Sequence, residues 1–190
     1  RAELEQVLNG DPTNLPPGEL VREEVAALVG GELGRFLEAR QAIVTSLAAE
    51  VREAVEAAGS SRFVVMDMSG AAKGYATGQP TGDPAPASAW LDGLDPAAIA
   101  RAGHGLAAIG YAHDPARLRF DIDAYRALLP ADRALSVALR PMLPDCDSPA
   151  NLAEKLALLR DLGVAWADFY HYGFMRLSAL DWIREALGAG

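Results

Sequence analysis

Apolar side chains recur at three- and four-residue spacing through LPPGELVREEVAALVGGELGRFLEARQAIVTSLAAEVREAVEAAG, with acids and arginines between them. That period predicts helix. Pro16, Pro17 and Gly18 mark its start and Gly59 its stop, while Gly30, Gly31 and Gly34 are expected to divide it in two. After Gly59 the texture changes. RFVVMDMSG is a compact apolar run and reads as a strand. A Gly- and Pro-rich loop follows from Gly70 to about Gly93. DPAAIARAG then predicts a short helix with Asp95 as N-cap and Pro96 in the first turn, and DPARLRFDIDAYRALLP repeats that start at Asp114 and Pro115. GLAAIGYA, ALSVALRPM and AWADFYHYG predict further strands. DSPANLAEKLALLRDLG predicts a helix capped near Ser148 and ended by Gly163, and LSALDWIREALG the closing helix.

Strand and helix thus alternate four times with tight helix-to-strand links, which predicts an α/β fold with a parallel sheet and helical crossovers. Two architectures satisfy this order: an open doubly wound sheet, and a closed (β/α)8 barrel of which these units are one half. No G-x-G-x-x-G turn follows the first strand, so nothing specific supports a dinucleotide-binding open sheet. The chain starts at Arg1 in the middle of a helical pattern. The expectation is one domain truncated at its N-terminus, with a helical lead-in over 1–60 and βα units five to eight of a TIM barrel over 61–190.

Successive strand residues point to opposite faces. This sets Val64, Met66 and Met68 against Val65, Asp67 and Ser69. It sets Val137 and Leu139 against Ser136, Ala138 and Arg140, and Ala167, Phe169 and His171 against Trp166, Asp168, Tyr170 and Tyr172. The first group of each pair is expected to pack under helices. The second is expected to line a barrel interior, with its polar members toward the C-terminal strand ends, where barrels place their reacting groups. The site candidates are Asp67 and Ser69 on the first strand, Tyr111 and His113 after the second, Arg140 on the third, and Tyr170 and Tyr172 on the fourth. The parity of the second strand is ambiguous.

A carboxylate on a buried strand costs several kcal/mol unless it is paired. Asp67 is therefore either a general acid/base or a substrate-hydroxyl acceptor, or half of an ion pair with Arg140 or Lys73. Arg140 either holds a substrate anion or neutralises Asp67 or Asp168. In PMLPDCDSPAN, Asp145 and Asp147 offer a catalytic acid or a hydroxyl acceptor, although Asp147 or Ser148 also suits the cap of the next helix. Lys73, Tyr75 and Trp90 in the long loop read as a lid over a ligand. Cys146 reads as inert, and the histidines show no metal-binding spacing, so no metal and no cofactor are expected.

The strand-end segments MDMSG, LRPMLPDCD and DFYHYG, in this order and followed by LDWI, resemble the C-terminal half of a glycoside-hydrolase-like (β/α)8 barrel, and more narrowly alanine-rich bacterial proteins of that type. The resemblance covers about residues 60–188. It implies a carbohydrate-active, glycoside-hydrolase-like protein, in which the strand-end and loop residues Asp67, Asp145 and Arg140 are the catalytic candidates. Ser69, Lys73, Tyr75, Tyr111, His113, Asp147, Tyr170 and Tyr172 would then contact the sugar. One departure stands out: the third strand here ends in Arg140, where well-known glycosidases of this barrel type carry a glutamate. Two alternatives follow from the residues themselves. One is a barrel isomerase or lyase that clamps a small anionic metabolite with Arg140, and the other is a non-catalytic barrel.

Composition narrows the partners. Of 190 residues 51% are hydrophobic and 23% charged, a globular balance, and the net charge of −9 argues against nucleic acid and anionic membrane. The single cysteine excludes an internal disulfide. No apolar run approaches the roughly 20 residues of a membrane span, and a cytoplasmic protein is expected. A half barrel exposes two strand edges and an apolar face, so the missing N-terminal half or a second copy is the expected partner beside a sugar-like small molecule.

Overall fold

The computed structural model of the chain describes residues 30–59, 62–72 and 83–188. By internal contacts the chain divides into two units, Arg1–Arg40 and Gln41–Gly190, and the sheet belongs wholly to the second. Helix α1 (Glu32–Ala57) runs without interruption through Gly34. The expected division falls at Gly31, a turn residue between helical Gly30 and α1, and not at Gly34, because one glycine costs only about 1 kcal/mol inside a helix this long.

The strands follow in the expected order: β1 (Val65–Asp67), β2 (Gly105–Ile109), β3 (Ala134–Leu139) and β4 (Trp166–Phe169). They alternate with helices α2 (Ser69–Ala72) and α3 (Pro96–Ala102) before β2, α4 (Pro115–Leu128), α5 (Pro149–Asp161) and α6 (Leu177–Gly188). Part of the expected loop is ordered as a 3-10 helix, Ala85–Asp92, which has a proline in its first turn. Gly93 ends it in the left-handed region (φ 76°) and donates its N–H to the carbonyls of Ala89 and Trp90. The buried pair Arg117–Asp121 (2.9 Å) joins this segment to α4, because Asp121 also accepts the Ala85 N–H at 2.7 Å. The caps are those the sequence announces. Asp95 accepts from Ala98 N (2.9 Å), Asp114 from Ala116 N (2.8 Å) and Ser148 from Asn151 N (3.2 Å), each followed by proline.

The four strands form one parallel sheet in the order β1-β2-β3-β4. Each strand adds to the same side of its predecessor, and right-handed crossovers then carry the connecting helices to a single face. The register shows which face this is. Val65, Leu106 and Leu135 align in one row, and Asp67, Ala108, Val137 and Ala167 in the next, with Leu139 and Phe169 beyond. Most of these residues join Ile99, Leu118, Ile122, Tyr125, Leu152, Leu156 and Leu159 of the helices in one core. The opposite face carries Met66, Ala107, Ser136 and Trp166 in one row and Ile109, Ala138 and Asp168 in the next. Ala107, Ser136, Ile109 and Ala138 in the middle of this face are buried, and only Met66, Met68 and Asp168 on the outer strands are exposed, so the face is open at its flanks. Arg62, before β1, places its guanidinium 5.4 Å from the Trp166 ring at the N-terminal end of this open face.

This inverts the expected orientation of β1. Val65 and Asp67 face the helices, while Met66 and Met68 face the open side. The faces of β3 and β4 lie as the alternation implies up to Phe169. Beyond it, His171 does not reach the helix layer. It sits half-buried at the strand end between the rings of Tyr170 (4.6 Å) and Phe174 (4.4 Å).

Candidate functional site

The polar residues that meet on the open face do so because three strands end level with one another. Ile109, Ala138 and Asp168 are register partners, and the ladder continues one step through Gly110 N to Ala138 O (2.9 Å) and Tyr170 N to Leu139 O (2.8 Å). Two residues beyond that row stand Tyr111, Arg140 and Tyr170. Two strand spacings of about 4.8 Å separate the outer pair, yet their ring centroids are 6.1 Å apart, so the rings lean toward one another across β3. The Arg140 guanidinium carbon lies 4.7 Å from the Tyr111 centroid, a cation–π distance. Burial pushes the Tyr111 hydroxyl up to about 12, against the opposing charge of Arg140, so it remains a protonated donor at neutral pH. Tyr170 is half exposed. The Leu143–Pro144 and Tyr170–His171 peptide bonds, in the loops beside this row, are cis.

Arg140 is held from behind by the β3–α5 loop. Its Nε donates to Oδ2 of Asp145, a fully buried carboxylate. The other carboxylate oxygen, Oδ1, is buried without a hydrogen-bond partner among the described residues. Lys155 of α5, itself fully buried, donates from Nζ to the Asp145 carbonyl. Burial holds its ammonium below the ordinary lysine range, offset in part by Asp145, Asp147 and Cys146 nearby. The Cys146 thiol is buried and pushed up by desolvation, so it is a thiol rather than a nucleophilic thiolate.

A second contact ties the loops after β2 and β3. His113 Nε2 lies 3.1 Å from Asp147 Oδ2, and Ser148 Oγ donates to Asp147 Oδ1 at 2.8 Å. These two contacts hold the exposed Asp147 carboxyl below the usual carboxylate range. Asn151 Nδ2 donates to the His113 carbonyl at 3.0 Å and fastens the same loops.

The sequence-derived candidates therefore separate. Tyr111, Arg140, Asp145 and Tyr170 come together, with His113 and Asp147 forming their own pair. Asp67 and Ser69 are elsewhere. Asp67 is fully buried under α4, where Oδ2 accepts from the Tyr125 hydroxyl (2.7 Å) and Oδ1 from the Ser69 N–H (2.8 Å) and hydroxyl (2.5 Å). With its oxygens so engaged on the helix side, Asp67 is not the partner of Arg140 and does not join the strand-end row. Asp168 does not pair with Arg140 either, because Asp145 takes that role and Asp168 lies exposed one row deeper. Tyr172 is past the strand in a turn and largely exposed. Trp90, the third residue of the expected lid, lies in the 3-10 helix and is partly exposed. Lys73 and Tyr75 fall outside the described residues.

Two contributors escaped the sequence reading. Lys155 occupies the apolar stripe of Leu152, Leu156 and Leu159, and a lysine at a stripe position is the signal that marks it. Tyr125 sits in the stripe of Leu118, Ile122 and Leu129 and reads as core, since nothing local ties it to a carboxylate 58 residues away. Among the described residues no cluster of three or more His, Cys, Asp or Glu side chains could hold a metal ion, and no helix is long and apolar enough to cross a membrane. No family model, curated protein or solved structure matches the chain.

Proposed function

We propose that residues 61–190 form the second half of a (β/α)8 barrel and that the C-terminal end of its open face binds a carbohydrate. The row Tyr111–Arg140–Tyr170 carries this reading. Tyrosine faces stack on the apolar faces of sugar rings, while phenol, guanidinium and carboxylate groups take the hydroxyls. The one-directional strand order, with its crossover helices on one side, is the order a barrel half requires. In this reading Asp67 serves the fold. Asp168, the carboxylate that the four strands present on the open face, takes its place as the hydroxyl acceptor.

Glycoside hydrolysis uses two carboxyl groups on either side of the scissile bond, about 5–10 Å apart. With Asp145 buried against Arg140, a hydrolytic activity draws its second acid from a segment outside these strands. Isothermal titration of the intact protein with a panel of neutral and acidic sugars tests the binding reading. At least one sugar is expected to bind, with its affinity falling about tenfold, or ~1.4 kcal/mol, in Tyr170→Ala and in Asp168→Asn. Affinity unchanged in both variants, or no sugar bound at all, refutes it.

A further inference from the structure

Arg140 is presented in a way that hydroxyl binding alone does not call for. A guanidinium has five N–H donors in a planar fork. Here Asp145 takes the Nε side, Tyr111 covers one face, and the two Nη nitrogens have no partner among the described residues. The Arg140 side chain is 31% exposed while its carboxylate partner is 2% exposed, so the pair shows its cationic end outward and keeps its anionic end buried. Lys155, buried behind the same loop, donates to the Asp145 backbone carbonyl and leaves the carboxylate to Arg140. The pair thus turns a cation outward in a chain whose net charge is −9. The neighbouring Asp147 is occupied by His113 and Ser148. Among the described residues, the remaining carboxylate on this face, Asp168, belongs to the row below, two residues or about 7 Å along the strand.

We infer that the sugar bound at this row is an acidic one, whose carboxylate lies in the plane of the Arg140 fork and accepts from its two Nη groups. The sugar ring then lies against Tyr170, and its hydroxyls reach down toward Asp168. The inference rests on the carbohydrate reading and adds the charge of the ligand to it. A carboxylate suits the free edge because its two oxygens match two parallel N–H donors. The donors are also prearranged: Asp145 and the Tyr111 ring hold the guanidinium before ligand arrives, so little side-chain entropy is lost on binding.

The test compares D-glucuronate with its methyl ester, with D-glucose and with glucose 6-phosphate by titration calorimetry on the intact protein. The free acid is expected to bind tenfold or more tightly than its ester or glucose. Arg140→Gln is expected to erase that preference, and Arg140→Lys to retain less than half of it in logarithmic terms, because an ammonium lacks the fork. The ester comparison needs no altered protein and so holds even if the Arg140 variants fail to fold. Equal binding of acid, ester and glucose overturns this inference and leaves the carbohydrate reading standing. Tighter binding of the phosphate than of the acid overturns the carboxylate assignment. Binding of none of them, with no other sugar bound, removes both.

Discussion

Replacing Tyr125 by phenylalanine removes one oxygen from a fully buried ring and leaves the ring's volume in place. That oxygen donates to Oδ2 of Asp67 at 2.7 Å, while Oδ1 keeps the two donors of Ser69. The variant therefore opens almost no cavity and strips one oxygen of a buried carboxylate of its partner. A hydrogen bond to a charged group contributes about 1.5–3 kcal/mol, and an unpaired buried acceptor carries its full desolvation cost, so the expected loss is about 2–3 kcal/mol. For a unit the size of Gln41–Gly190, each kcal/mol lowers Tm by about 2–4 °C, which gives a fall of about 4–12 °C. Urea unfolding followed by circular dichroism measures it, and the m-value should stay unchanged because the same surface is exposed. In an Asp67→Asn background the same substitution should cost at least about 1 kcal/mol less, since the two groups act as a pair. A loss below about 0.5 kcal/mol in Tyr125→Phe would refute the placement of Asp67 under α4. So would an Asp67→Asn variant of undiminished stability that no longer binds sugar.

Three further outcomes follow from the same structure. In an ultraviolet titration one tyrosine should ionise near pH 12, and Tyr111→Phe should remove that step. Because its folded pKa is raised, Tyr111 stabilises the fold fully below pH 10 and loses that contribution as pH rises through about 12. Lys155 has the opposite sign. Its folded pKa is lowered, so the unfolded chain binds the extra proton and stability rises with pH toward the ordinary lysine value of 10.5. Denaturation curves of Lys155→Met should lack that rise, and a slope equal to that of the unaltered protein would contradict the lowered pKa of the folded lysine. Finally, a Cβ added at Gly105 would stand 2.2 Å from the Ala134 carbonyl oxygen, a backbone atom that cannot rotate away. Gly105→Ala should cost about 3 kcal/mol or more and loosen the β2–β3 pairing, seen as faster amide exchange in β3, and a loss below about 1 kcal/mol would contradict that contact.

How much of the candidate site was legible depends on how local its parts are. Tyr111, Arg140 and Tyr170 could be named because each lies at or just past the C-terminal end of an apolar run followed by a helix start. Their standing side by side was not visible. It needs the register Ile109–Ala138–Asp168, which fixes three separate strands level with one another. The pairing of Arg140 was misassigned for a related reason. Asp67 and Asp168 were reasoned from strand parity, whereas Asp145 reaches Arg140 because the loop after β3 folds back over five residues.

The amino-acid sequence by itself determined the α/β class, the order of the strands and the starts of the three capped helices, because those follow from short-range causes. These are the 3.6-residue and two-residue periods, side-chain caps at Asp95, Asp114 and Ser148, and prolines at first turns. Only the tertiary structure decided which side of β1 is covered. Alternation says that Val65 and Asp67 share a face and that Met66 and Met68 share the other, but both assignments satisfy the period equally. Pairing with β2 placed Val65 beside Leu106 and Asp67 beside Ala108, on the side where the helices pack and Tyr125 waits with its hydroxyl. The choice is physical: a carboxylate is tolerated in that layer once Ser69 and Tyr125 satisfy its oxygens, and two flexible methionines are left on the open face.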